Sequence, residues 1–242
     1  TVYNSISLGI ACLGSATAFF WLQIPNVNRN YRTVVSLTGV ITFIATYNYL
    51  RIFDCWTAAF VVRLGVTGRY EVTVSGKPFN DAYRYVDWLL TVPLLLIELI
   101  LVLRLPRRDT ICLATTLSLA SVLMIGFGYP GDEQASDNAR FFWLTCAMVP
   151  FVFVIIVLVF TLSRATARQP RSVRRLVAVA RYLTVVSWMK YPSVYIVSSL
   201  GRRGAESVMY EQMGYTAADV SAKAVFGMVI FLIAREKSRL EE

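Results

Sequence analysis

Four ionisable residues stand inside stretches otherwise greasy enough for lipid: Asp87 and Glu98 in one, Asp219 and Lys223 in another. Charges at bilayer depth are costly, so each is a functional candidate by default. Asp87 and Glu98 are eleven residues apart; on a helix they return to within about 20° of one face, roughly 16 Å apart along the axis. Thr91 shares their stripe, four residues after Asp87, where its hydroxyl can hydrogen-bond Asp87. Asp219 and Lys223 form an i, i+4 pair. A buried lysine can shed its proton and act as an amine nucleophile, as in Schiff-base chemistry. A static Asp219–Lys223 salt bridge is the plainer alternative, but Arg84, Asp87 and Glu98 extend the polar stripe further than such a pair requires. Trp88 follows Asp87, while Trp188, Tyr191 and Tyr195 fall at i, i+3 and i+7 beside Pro192. Such aromatics are ordinary packing in isolation; next to a reactive amine they can sandwich a long, flat, conjugated ligand.

The elements that must position these groups follow from composition. The chain has 242 residues, 56% hydrophobic and 16% charged, with a mean hydropathy of +0.55. Spanning runs of about 20 residues each are expected over 6–24, 34–55, 83–103, 110–128, 141–162, 176–200 and 216–234. The fold class expected is an all-α membrane protein, a single domain over 1–242 built as a seven-transmembrane-helix bundle. The loop 68–81 alternates through Tyr70, Glu71, Val72, Thr73 and Val74 to a Ser75-Gly76 turn, which predicts a short extracellular β-hairpin between helices two and three.

The formal charge of +9 comes from basic residues between apolar runs, so it reports topology and not nucleic acid. Arg29, Arg32, Arg104, Arg107, Arg108, Arg164, Arg168, Arg171, Arg174, Arg175, Arg235, Lys237 and Arg239 gather on one side. The other side has Arg69, Lys77, Arg202 and Arg203, diluted by acids that include Glu206 and Glu211. The positive-inside rule then puts the N-terminus outside and the C-terminus in the cytoplasm. Thr1 stands where a start methionine would, which leaves a leader ahead of it open. The four cysteines show no ligand spacing and the chain has no histidine, so no metal site is expected and the commonest general base is missing.

These residues resemble the microbial rhodopsins, seven-helix proteins that hold retinal on a lysine. The likeness covers nearly the whole chain. It is strongest over Arg84-Tyr85-Val86-Asp87-Trp88-Leu89-Leu90-Thr91-Val92-Pro93 and Asp219-Val220-Ser221-Ala222-Lys223. Glu98, Phe127-Gly128-Tyr129 and Tyr47-Asn48-Tyr49-Leu50-Arg51 look most like the proteorhodopsin and xanthorhodopsin branch. The resemblance implies a light-driven outward proton pump, not an enzyme, with all-trans retinal as a protonated Schiff base on Lys223. Asp87 would be primary counterion and proton acceptor, Asp219 the second counterion, Arg84 the cation that balances both and gates the outer half-channel, and Glu98 the cytoplasmic proton donor. Trp88, Trp188, Tyr191 and Tyr195 would line the retinal, Pro192 would shape its pocket, and Leu95 would occupy the colour-tuning position. The implied partners are retinal, protons and the lipid bilayer, with trimeric and pentameric homo-oligomers both open.

Departures matter too. The helix-two histidine of many relatives is replaced by Thr46, and Leu144 after Trp143 stands where a glycine admits a carotenoid antenna, so no antenna is expected. Glu211 is open between a proton-release group and, as the preferred reading, a solvated loop carboxylate. Asp54 is expected to pair with Arg51 or cap helix two, and Lys190 has no assigned part. A sensory photoreceptor with the same pocket and a slow cycle is the alternative function; Glu98 favours pumping, because turnover needs fast reprotonation. Asp87 argues against chloride transport, the Asp87, Thr91 and Glu98 set against sodium pumping, and the leucines at 94–96 against a channel. A retinal-free transporter or receptor would leave Lys223, Asp87 and the aromatic cage as coincidences. Without imidazole to couple to Asp87, the pigment should show a single acid-induced colour transition in a visible pH titration; a two-step curve displaced to alkaline pH would contradict this.

Overall fold

A computed structural model describes residues 1–64, 68, 70–134, 136–200 and 205–241. The helices are α1 (Val2–Gln23), α2 (Arg29–Ala59), α3 (Ala82–Leu103), α4 (Arg107–Asp132), α5 (Asp137–Ala167), α6 (Arg171–Leu200) and α7. The last runs as Ala205–Asp219, a π turn at Val220–Val225, and Phe226–Glu241. A second π turn, Val157–Thr161, interrupts α5. Six of the helices are long and apolar enough to cross a membrane. The other, α6, carries Arg171, Arg174, Arg175, Arg181 and Lys190, and packs against α5 and α7 in the same bundle.

Local chemistry fixes the helix ends. Asn28 caps α2 by accepting from the Asn30 amide at 3.1 Å. At the close of α3, Arg104 turns left-handed with φ 54°, and the buried Lys237 ammonium donates to the Val102 and Leu103 carbonyls at 2.8 and 3.4 Å. A cation on the last carbonyls satisfies orphan acceptors and complements the helix dipole. Arg104 also pairs with Glu241 at 2.9 Å, and the Tyr31 hydroxyl bonds the same carboxylate. The ends of α2, α3 and α7 are thereby tied together.

The hairpin is present, with its turn elsewhere than expected. Its strands are β1 (Phe60–Leu64) and β2 (Tyr70–Val74), antiparallel with Phe60 opposite Val74 and Leu64 opposite Tyr70. The first strand continues from the end of α2, where Val61 and Val62 favour extended backbone. Ser75-Gly76 follows the second strand and leads the chain out of β2, with Gly76 at φ 94°. Arg69, Arg202 and Arg203 fall outside the described residues, as does the Glu206 side chain. Arg51 does not serve Asp54: its guanidinium donates to the Tyr83 hydroxyl at 2.9 Å and lies over that ring, and Asp54 is exposed.

The core centres on α3, whose buried face runs from Arg84 to Leu103 between α2, α4 and α7. Close approach of α1, α2 and α7 depends on glycine. A Cβ on Gly227 would stand 2.5 Å from Thr38 Cγ2 and 2.9 Å from Phe20 Cζ, whereas one on Gly126 would meet nothing within 4 Å. Gly227→Ala should accordingly cost about 1–3 kcal/mol and lower the unfolding temperature. Gly126→Ala should leave it level or raise it slightly, since alanine is the better helix former. Thermal denaturation in detergent reads both; equal behaviour of the two variants would contradict the packing.

Candidate retinal-binding and proton-transfer site

Lys223, 1% exposed, lies within the π turn of α7. Its ammonium forms ion pairs with Asp87 Oδ2 from α3 and, at 2.9 Å, with Asp219 Oδ1 from its own helix. Both carboxylates are wholly buried. An uncompensated charge there would be severely destabilising, so the three groups are mutually required. Asp219 is further held by the Tyr49 hydroxyl at 2.7 Å, the Trp88 indole N–H at 3.0 Å and the Tyr191 hydroxyl at 2.8 Å. Asp87 is held less: its Oδ1 has no partner among the described residues.

One expected contact differs. The Thr91 hydroxyl donates to the main-chain carbonyl of Asp87 at 2.7 Å, not to its carboxylate, because a threonine one turn on can reach back to the i−4 carbonyl of its own helix. Arg84 is fully buried. Among the described residues its ion pairs are with Asp81 at 3.1 Å and Asp219 at 3.6 Å, none with Asp87. Its two terminal nitrogens donate to the Tyr49 hydroxyl at 3.3 Å and to Gln212 Oε1 at 2.6 Å.

Glu98 is also completely buried, away from this cluster. The Thr38 hydroxyl of α2 is in hydrogen-bond contact with its Oε1 and lies 3.1 Å from the Val34 carbonyl; Glu98 Oε2 has no partner among the described residues.

Beside Asp219 opens an almost wholly apolar cavity of about 110 Å³. Trp88, Trp188, Tyr191, Pro192 and Tyr195 line it, as expected, together with Tyr85, Met148, Phe151 and Tyr215. The Trp88 ring meets Tyr191 at 5.0 Å and Tyr215 at 5.1 Å, both edge to face. Trp88 and Tyr191 present apolar rings to the cavity and polar tips to Asp219, so the cavity wall adjoins the Lys223 cluster. That composition fits a conjugated polyene joined to the lysine. Leu95 is buried in the adjoining core, outside the lining set, and Leu144 is one of the liners.

Further along, Asp81, Asp132 and Glu211 bring carboxylate oxygens within 4.8 Å of one another, with Arg140 3.3 Å from Asp132. Glu211 is thus a half-buried group on α7 and not a solvated loop residue. Thr46 bonds back to the Thr42 carbonyl at 2.7 Å and faces Gly14 of α1; the residue that α2 supplies to the counterions is Tyr49. Lys190 is exposed in a groove between α6 and α7, apart from the site.

Tyr49, Gln212, Tyr215 and Thr38 escape a search for charges. Their signal is periodic: Gln212, Tyr215, Asp219 and Lys223 fall at i, i+3, i+7 and i+11, and Thr38, Thr42 and Tyr49 at i, i+4 and i+11. Removing the central cation should cost about 3–5 kcal/mol, as for other broken buried pairs. In retinal-free protein, Lys223→Met should therefore unfold at much lower temperature, and Asp87→Asn in that background should recover part of the loss; an additive further loss would contradict the coupling.

The family model described as bacteriorhodopsin-like protein matches residues 2–237. Archaerhodopsin-2 from Halobacterium sp. (strain aus-2) is 31% identical over 205 residues, covering 84% of this chain and 73% of the relative. Among solved structures, thermophilic rhodopsin superposes with a TM-score of 0.93 at 40% identity. Xanthorhodopsin, described as a light-driven ion pump with dual chromophore, does so with 0.92 at 38%. Each likeness covers 99% of this chain and 94% of the other. The chain is an integral multi-pass membrane protein of the bacteriorhodopsin-like family.

Proposed function

We propose that the protein is a light-driven outward proton pump with all-trans retinal joined to Lys223. The observation that carries this reading is the buried Lys223 ammonium between Asp87 and Asp219, beside an aromatic cavity, with a separate buried Glu98 three turns beyond Asp87 on α3. When bound, retinal supplies light absorption and an isomerisation that alters the position and proton affinity of the lysine nitrogen.

The chain's own residues then determine the path. Asp87 Oδ2 touches that nitrogen and Oδ1 has no donor among the described residues, so Asp87 is the carboxylate free to take a proton. Asp219 accepts from Tyr49, Trp88 and Tyr191, and hydrogen bonds to a charged form favour keeping it charged. It therefore remains the fixed anion while Asp87 changes state. Glu98 faces no cation, and an isolated buried carboxylate is held neutral by its surroundings. The Thr38 hydroxyl donates to Glu98 Oε1, and Oε2 has no partner among the described residues. A charged acceptor and a neutral donor on opposite sides of one amine make a direction. The Lys223 nitrogen gives its proton to Asp87 and receives the next from Glu98.

The orientation follows from charge, with Arg-rich ends inside, the N-terminus outside, and Glu98 on the cytoplasmic side. The same pocket would serve a sensory photoreceptor; the buried carboxyl at 98 favours transport, because a signalling cycle has no need of rapid return. Leu144 among the cavity liners supports retinal without an antenna.

Illumination of unbuffered cells carrying the protein with added retinal should acidify the medium, and a protonophore should abolish the change. Asp87→Asn should abolish pumping. Glu98→Gln should keep the colour but slow recovery after a flash by on the order of 10²-fold, the usual worth of a positioned proton donor. No light-driven acidification by the unaltered protein, or unaltered recovery in Glu98→Gln, would contradict the reading.

A further inference from the structure

We infer that Gln212 is a positioning residue that keeps Arg84 turned toward Asp81 and away from Asp87; this deepens the pumping reading and rests on it. Gln212 sits on α7 two turns before Asp219 and is 2% exposed. Both ends of its amide are used: Oε1 accepts from Arg84 at 2.6 Å, and Nε2 donates to Asp81 Oδ2 at 3.4 Å. Arg84 Nε closes the ring by donating to Asp81 Oδ1 at 3.1 Å. Two of the three guanidinium nitrogens are thereby committed to the Asp81 side. The third reaches Tyr49 at 3.3 Å and Asp219 only at 3.6 Å.

The guanidinium is planar, and its donors come in a fixed fork, so holding two nitrogens sets the direction of the third. A neutral amide does this without adding charge near the counterions. Asp87 Oδ1 is meanwhile buried and has no partner among the described residues. It is the acceptor that a released Arg84 would find, since a buried guanidinium N–H left unpaired is costly. The tether thus keeps a cation from settling on the carboxylate that must take up a proton. The charged and titratable groups around Arg84 are Asp81 from α3, Tyr49 from α2, and Tyr215, Glu211 and Asp219 from α7. Asp132 of α4 and Arg140 of α5 stand beyond, and Lys223 faces Asp87 from α7.

The test is a visible pH titration of retinal-loaded, purified pigment, which reads the charge state of Asp87 without reference to pumping. Gln212→Met removes the tether at nearly equal volume; Arg84 then moves inward, and the acid-induced colour change should need more acid, by about one pH unit. Gln212→Glu strengthens the outward hold and adds negative charge, so the midpoint should move the opposite way. In an Arg84→Gln background, Gln212→Met should have no further effect on the midpoint. Midpoints equal to the unaltered pigment, shifts of the same sign in both variants, or a methionine shift that persists without Arg84 would overturn the inference, while acidification by the unaltered protein would leave the pumping reading standing. Should Gln212→Met fail to yield pigment, Gln212→Glu, of the same size and still an acceptor for Arg84, decides by its sign. Failure of the unaltered protein to form a coloured pigment would overturn the pumping reading, and this inference with it.

Discussion

A lysine cation sealed between two carboxylates is the constraint on which the rest of the structure depends. None of the three groups is tolerable alone at that depth, and together they leave one negative charge that Arg84, a layer away, helps to offset. The cluster requires α3 and α7 to meet at one level, with Tyr49 of α2, Trp88 of α3 and Tyr191 of α6 converging on Asp219. The π turn carrying Lys223 is where α7 departs from regular winding, and such turns recur at functional sites.

The asymmetry around that cluster matters as much as the cluster itself. Toward Asp81 the structure is polar and closely hydrogen-bonded, with Arg84, Gln212 and three neighbouring carboxylates. Toward Glu98 it is apolar, broken by Thr38 and ending at the Lys237 clamp on the last carbonyls of α3. In the proposed pump a proton on the polar side meets ready acceptors, whereas one crossing the apolar side needs a carrier, the part proposed for Glu98.

Much of this was legible in the sequence because charges inside apolar runs are conspicuous. Asp87, Glu98, Asp219, Lys223 and Arg84 are found that way, and the seven helices follow from the lengths of those runs. Neutral polar groups are not conspicuous. Tyr49 and Gln212 look like ordinary helix residues until the i, i+7, i+11 spacing to known site residues is traced. Thr91 misleads because sequence places its hydroxyl near Asp87 without distinguishing carboxylate from main-chain carbonyl. The direction of Arg84 is not legible either, because its partner Gln212 is distant in the chain. Ser75-Gly76 misleads because extended backbone begins directly at Phe60, where valines continue an apolar run, so that the pair follows the second strand, and the π turns leave no mark in composition.

The most direct test of the central claim is to reduce the retinal-loaded protein with borohydride, digest it and locate the added mass. The account predicts a single adduct on Lys223. An adduct on Lys190 or any other amine, or a Lys223→Met variant that still forms the coloured pigment, would contradict it.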